Sequence, residues 1–209
     1  MIYTLNKRTK SVKFIYSKCK RMAKVIDLVG TITYKPYSDP YSFLVSTIIG
    51  QMLSNKVADI ICERLENLCS GHITPSKIDK LTDSQIKSIG TSNSKVKFIR
   101  ELTNSIKNKD INFKRIDDMN DEEAIKALTS IHGIGTWSAK MYLIFVLNRQ
   151  NVLPYEDMAF IQGYKWCYNT NKIDKDSITK KFEKFEPYRS IVARYLYKAL
   201  DGGYTKYNL

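Results

Sequence analysis

Residues 128–160 read LTSIHGIGTWSAKMYLIFVLNRQNVLPYEDMAF. Ile125, Leu128 and Ile131 share one face of a helix, and a second helical run starts at Thr136 and continues to about Asn148. Between them lies a tight turn, His132-Gly133-Ile134-Gly135. Glycine suits such a turn because it adopts backbone angles closed to other residues. It also leaves the N–H groups open, and the next helix begins at once with its positive dipole end. Gly133, Ile134 and Gly135 therefore form either an anion site or an ordinary corner between two helices, and spacing alone does not choose. Lys140, one turn further on, either assists an anion or is solvated. His132 has no Ser, Cys or Asp partner at motif spacing, so a structural or anion-facing role suits it better than general base. After a polar connection, Pro154 precedes a carboxylate pair, Glu156 and Asp157, where another helix begins.

Working outward, helical spacing dominates. Asp39 and Pro40 make a good cap and first turn for a helix with Phe43, Leu44, Ile48 and Ile49, ended by Gly50. Ser54 opens the next, with Val57, Ile60, Ile61, Leu65 and Leu68 as its apolar stripe and Gly71 as its stop. Pro75 starts one short helix, and Thr82 with Gln85 starts another as a capping box. Ser94 opens a helix with Val96, Phe98, Ile99, Leu102 and Ile106 inward. A polar connection spans residues 108–120, and Asp121, Glu122 and Glu123 suit the helix start that follows. Two more helices run to about Lys184 and from Pro187 to Leu200. Toward the N-terminus, residues 23–29 form a short helix and 31–37 are extended, while the Lys-rich residues 6–24 are open to strand, helix or arm. The pattern predicts an all-α fold of about ten helices.

Composition narrows the partner. The 209 residues carry a net charge of +13, which favours a polyanion, nucleic acid before an anionic membrane surface. A uniformly basic proteome is the bland alternative. The first 24 residues hold eight Lys or Arg and no acid, without the apolar region of a signal peptide. The longest apolar run, residues 141–147, is too short to span a membrane, so an intracellular protein without a membrane role is expected. Cys19, Cys62, Cys69 and Cys167 are scattered and match no zinc pattern.

The stretch LTSIHGIGTWSA (128–139), followed by LPYED (153–157), resembles the helix-hairpin-helix DNA glycosylase superfamily, most closely its 3-methyladenine DNA glycosylase II branch. Three other stretches agree: IIGQMLS (48–54), IKSIGTS (86–92) followed by Lys95, and PYRS (187–190) with YLY (195–197). The resemblance implies two helical subdomains flanking a DNA-binding cleft. Residues 40–150 would form the central one with the hairpin, and residues 1–39 with 151–209 the other.

It also implies roles. Asp157, twenty residues after Trp137, takes the catalytic position, with Glu156 a solvated neighbour. Trp137, Tyr197 and Met141 would line the base pocket, although this branch often has an aromatic where Met141 stands. Met52, with Gln51 beside it, would be the wedge that fills the gap left by a flipped nucleotide; core packing is the alternative for Met52. Gly133, Ile134, Gly135 and Lys140 would hold phosphate. Backbone carbonyls of Thr129, Ile131 and Gly133 would bind a structural Na+ or K+, with no other cofactor required. Bifunctional relatives carry a lysine where Trp137 stands, so no lyase activity is expected. Only Cys167 follows the hairpin, so no iron–sulfur cluster is expected.

The implied activity is release of alkylated purines from double-stranded DNA containing damaged bases, by a monomer that hydrolyses the glycosidic bond. The alternatives are a glycosylase for deaminated or mismatched bases and a non-catalytic helix-hairpin-helix DNA-binding protein.

Overall fold

A computed structural model describes all 209 residues. In chain order the elements are β1 (Tyr3–Leu5), α1 (Lys10–Lys18), α2 (Lys20–Val29), β2 (Ile32–Tyr34), α3 (Pro40–Gly50), α4 (Asn55–Leu68), α5 (Pro75–Lys80), α6 (Asp83–Ser88), α7 (Asn93–Lys107), α8 (Phe113–Asp118), α9 (Asp121–Thr129), α10 (Thr136–Phe145), α11 (Met158–Tyr168), α12 (Lys175–Phe182) and α13 (Arg189–Asp201). Short 3-10 turns lie at Glu183–Phe185 and Tyr204–Lys206. The fold is all-α, with thirteen helices rather than about ten. The Lys-rich start forms α1 and the beginning of α2, and β1 pairs antiparallel with β2, Tyr3 opposite Tyr34 and Leu5 opposite Ile32. The expected polar connection contains α8, whose one buried residue, Ile116, left too little periodicity to read. The chain divides into a terminal unit, Met1–Pro36 with Asn148–Leu209, and a central unit, Tyr37–Leu147.

In the central unit, α3 starts as its sequence dictates. Asp39 Oδ1 accepts the Ser42 N–H at 3.0 Å, and Pro40 follows the cap. Tyr41, Leu44, Val45, Ile48 and Ile49 are all buried, and α3 packs against α4, α7 and α10. The Tyr41 hydroxyl reaches Thr103 Oγ1 on α7 at 2.8 Å, so this buried polar tip is satisfied. On α4 the structure departs from the predicted stripe. Ile61 and Leu65 are inside, but Val57, Ile60 and Leu68 are each about two-fifths exposed. Capping sets the start of α7 at Asn93 rather than at the expected Ser94, because Ser92 accepts the Lys95 N–H. A capping box at Asn120 and Glu123 fixes the start of α9.

In the terminal unit, α13 is the central helix and packs against α11, α2 and α1. Phe182 is fully buried among Phe160, Tyr164, Tyr168 and Phe185. The buried Tyr195 hydroxyl donates toward the carbonyls of Leu5 and Gly30, tying the N-terminal segment to α13. Burial pushes the Tyr195 phenol up to about 12. No helix is long and apolar enough to cross a membrane.

The approach of α11 to α13 is set by Gly163. A Cβ there would lie 2.9 Å from Leu196 Cβ and 3.3 Å from the Leu196 carbonyl oxygen. Gly163→Ala is expected to lower the thermal midpoint by a few degrees in calorimetry, because overpacking costs about 1–3 kcal/mol and exceeds a gain in helix propensity of about 1 kcal/mol. A protonation effect has the opposite dependence on solvent to acid unfolding. Tyr195 is held neutral in the fold, so its contribution is complete below pH 10 and is lost as pH rises through about 12. Tyr195→Phe should flatten the fall in midpoint over that interval.

Candidate functional site

The predicted turn lies between α9 and α10 and demands glycine at one position by sterics. Gly133 has φ +93°, and a Cβ on it would lie 2.2 Å from Phe98 Cγ, inside the space that side chain fills. Gly135 differs. It is extended, with φ −88° and ψ 176°, and a Cβ there would meet nothing within 4 Å. Its lack of a side chain therefore leaves the start of α10 approachable from outside. It also provides no side-chain cap, and the first turn of α10 has no acid to compete with an incoming anion. Ile134 is buried and anchors the turn inward. Phe98 packs edge-on against His132, whose Nδ1 lies 2.8 Å from Glu101 Oε2. His132 is thereby a structural neighbour of the turn, with its ring held by a carboxylate.

The loop after α3 is coupled to this turn. Gln51 Nε2 donates to the Gly133 carbonyl at 2.8 Å and lies 3.5 Å from Ser138 Oγ. Gln51 thus faces the hairpin, while its neighbour Met52 faces solvent. Met52 has φ +60°, and its side chain is completely exposed. The core-packing alternative for Met52 is excluded. A non-glycine residue in this region carries backbone strain of about 1–3 kcal/mol. Neither burial nor side-chain packing offsets that strain at a fully exposed methionine.

Lys95 holds the loop from below. Its Nζ donates to the carbonyls of Ile49 at 2.8 Å and Gln51 at 2.7 Å, where the end of α3 leaves carbonyls without helical partners. Desolvation lowers the Lys95 pKa. The sequence marked Lys95 only as part of a motif; its role as the clamp was missed. A lysine three residues past a serine cap is too common a pattern to signal this, since its partners lie 44 and 46 residues away.

In the terminal unit, Asp157 is the N-cap of α11. Its Oδ1 accepts the Phe160 N–H at 2.8 Å, its own N–H donates to Pro154 O at 3.0 Å, and it is 9% exposed. Glu156 is more open than Asp157. The segment leading to Asp157 is stapled by the start of α13. Ser190 N–H donates to Gln150 O at 2.8 Å, and Ser190 Oγ accepts the Val152 N–H at 2.9 Å. Arg189 Nε donates to Asn151 O at 3.0 Å. Motif spacing pointed to the PYRS stretch but not to this task. Tyr197, two turns along α13, has its hydroxyl buried, and Asp157 is a charged side chain that acts on it. Burial first, and then Asp157, push its phenol well above the ordinary range. The buried Arg194 guanidinium stacks on Tyr34 at 3.9 Å and acts on the Tyr197 phenol in the opposite direction.

The predicted residues thus fall into two groups. Gln51, Met52, the hairpin, Trp137, Lys140 and Met141 belong to the central unit, and Asp157 and Tyr197 to the terminal unit. Met141 is buried and Trp137 half-buried on α10. No group of three or more His, Cys, Asp or Glu side chains is placed to hold a metal ion. The Ile131 carbonyl accepts the Ile134 N–H at 3.0 Å, and the Gly133 carbonyl accepts from Gln51. A carbonyl oxygen has two lone pairs, so each keeps room for a cation.

Comparison with known proteins gives this geometry a context. Residues 45–187 match the family model for HhH-GPD superfamily base excision DNA repair proteins. Over 193 residues the chain is 30% identical to DNA-3-methyladenine glycosylase 1 of Schizosaccharomyces pombe, an alignment covering 88% of this chain and 84% of that protein. The crystal structure of a DNA-3-methyladenine glycosidase from Bacillus halodurans superposes with a TM-score of 0.84 at 28% identity, covering 98% of this chain and 95% of that one. The structure of the Schizosaccharomyces pombe 3-methyladenine DNA glycosylase in complex with abasic DNA gives 0.85 at 28% identity, covering 92% and 97%.

Removing the clamp has a local consequence. Lys95→Met should raise amide hydrogen exchange over residues 50–53 by about tenfold or more, since two charge-assisted bonds to backbone are lost. Exchange equal to wild type there would show that the loop is held by other contacts.

Proposed function

Because the chain belongs to the HhH-GPD superfamily of base excision DNA repair proteins, we propose that it is a monofunctional DNA glycosylase that releases alkylated purines of the 3-methyladenine type. The observation that carries this reading is Asp157: a nearly buried carboxylate, fixed as a helix cap and coupled to the buried Tyr197 phenol. The relatives named as 3-methyladenine glycosylases support the substrate class.

The reaction breaks the bond between sugar C1′ and the base nitrogen. The bonding electrons leave with the base, so an alkylated purine that starts cationic departs neutral and needs little protonation. Positive charge develops on the sugar, and the Asp157 carboxylate stabilises it. A water adds to C1′ and gives its proton to Asp157. Tyr197 holds the carboxylate in one orientation. Trp137 offers a π-face to a cationic base, and Met141, in place of an aromatic, tunes which bases are held. Met52 enters the duplex where the nucleotide leaves it. Its strained, exposed conformation supports that role, as does the Gln51–Lys95 support behind it. Gly133, Ile134 and Gly135 meet the backbone phosphate, with Lys140 adding charge.

The carbonyls of Thr129, Ile131 and Gly133 suit a monovalent cation. They are neutral hard oxygens at and just beyond the end of α9, where the dipole is negative. A cation held there would supply positive charge for a phosphate. Trp137 leaves no amine at the position where a lyase lysine would stand, which supports a product with an intact abasic strand.

Methylated duplex DNA tests the reading directly. Wild type should release 3-methyladenine without cutting the strand. Asp157→Asn should be slower by at least about a hundredfold, and Tyr197→Phe by about tenfold in kcat with KM little changed. Glu156→Gln should stay within about threefold. Asp157→Asn acting at the wild-type rate would overturn the mechanism. Release from uracil DNA alone would overturn the substrate class, and tight binding with no release would leave a DNA-binding protein.

A further inference from the structure

The net charge is not shared between the two units. The terminal unit has 20 Lys or Arg against 8 Asp or Glu, whereas the central unit has 14 against 13. Thus +12 of the +13 lies on the unit without the hairpin. A uniformly basic proteome would raise both units alike, so this asymmetry calls for a local cause.

Part of the excess is gathered on one surface. Lys18 ends α1, Lys20 and Arg21 open α2, and Lys181 and Lys184 lie on α12 and the 3-10 turn after it. That turn packs against α1. Lys181 Nζ and Lys184 Nζ lie 4.4 Å and 6.0 Å from the centroid of the Tyr168 ring, and the Tyr168 hydroxyl is 3.7 Å from Cys19 Sγ, between Lys18 and Lys20 in the chain. Arg21 Nη1 donates to Cys167 O at 3.0 Å, next to Tyr168. Glu183 is the one acid in the stretch 180–185. None of the five cations forms an ion pair with a carboxylate. In the central unit, by contrast, Lys97, Arg100 and Lys107 are paired.

The arrangement costs the fold something. Lys20 and Arg21 sit at the positive end of the α2 dipole, with no acid in that first turn. Like charges crowded there are locally unfavourable until a polyanion neutralises them. A lipid surface is the poorer fit, because α1 and α2 bury their apolar faces in the core and offer none to insert.

We propose that this surface is a second, sequence-independent contact for the phosphate backbone of duplex DNA, separate in role from the hairpin and used on undamaged as well as damaged DNA. It rests on the reading that DNA is the partner. Binding there releases counterions, and aromatic rings beneath the lysines hold their heads at the surface.

The test compares two triple variants, measured by anisotropy with an undamaged 40-base-pair duplex across a series of KCl concentrations. Lys18→Gln, Lys20→Gln and Lys184→Gln together should lower the slope of log affinity against log salt by about 3, at about 0.9 per phosphate contact. Affinity in 100 mM KCl should fall by about tenfold or more. Single-turnover base release at saturating enzyme should be unchanged. A control removing three central-unit charges, Lys80→Gln, Lys109→Asn and Lys114→Gln, should change the slope by less than about 1. An unchanged slope in the first triple, or an equal loss in both, overturns the proposal. So does loss of binding to phosphatidylserine vesicles with duplex binding intact. Absence of base release by wild type would refute the enzymatic reading alone, because the salt slopes report DNA contact without it.

Discussion

Gly133 and Phe98 compete for one small volume. The ring of Phe98 fills the place where any side chain at Gly133 would go. This exclusion locks the turn between α9 and α10 onto α7 and fixes the direction in which α10 sets out. The same helix α7 carries Lys95, one turn before Phe98, which holds the end of α3. Gln51 then closes the circuit by donating to the Gly133 carbonyl. Three helices and two loops are therefore fixed by one ring, one ammonium and one amide. The strained Met52 conformation persists because its flanking backbone has no freedom to relax.

The terminal unit solves a similar problem with different chemistry. The Asp157 carboxylate is held in one place. Its Oδ1 is held by the Phe160 amide, and the chain before it is bonded to Arg189 and Ser190 at the start of α13. Tyr197 arrives from the same helix two turns later. One helix thus supplies both the backbone support and the side-chain partner of the carboxylate. Small shifts of α13 are resisted by the tight seat of Gly163 against Leu196.

Much of this was legible in the sequence, and the failures have physical reasons. Caps with short-range partners were readable, as at Asp39 and Thr82, because the signal lies within four residues; the acids at 121–123 marked the start of α9, but its cap is Asn120. Motif position preferred Asp157 to Glu156, and the structure distinguishes the two by burial and capping. The α4 stripe misled because apolar spacing reports a face but not whether that face is covered; Val57 and Ile60 are open. Met52 was ambiguous for the same reason. The tasks of Lys95, Arg189 and Ser190 were invisible, since their partners are backbone carbonyls and amides far along the chain. Backbone groups carry no residue signature. The N-terminal helices were obscured by lysines that are solvated on one side and carry apolar residues only on the other.

The terminal unit is built from both ends of the chain, with the central unit spliced between them. During synthesis, residues 37–147 are contiguous and can close their core as soon as they emerge. The N-terminal helices cannot. Their core partner is α13, and the Tyr195 bond to Leu5 joins residues 190 positions apart. Until α13 leaves the ribosome, α1 and α2 hold Val12, Ile15, Met22, Val25 and Ile26 without their cover. Their lysines then act as gatekeepers, keeping an unfinished apolar segment dispersed by mutual repulsion. Asp157 acquires its final setting in the same closing event, because Ser190 and Tyr197 arrive with α13. A chain truncated before α13 would therefore keep the hairpin and lack the setting that holds the Asp157 carboxylate.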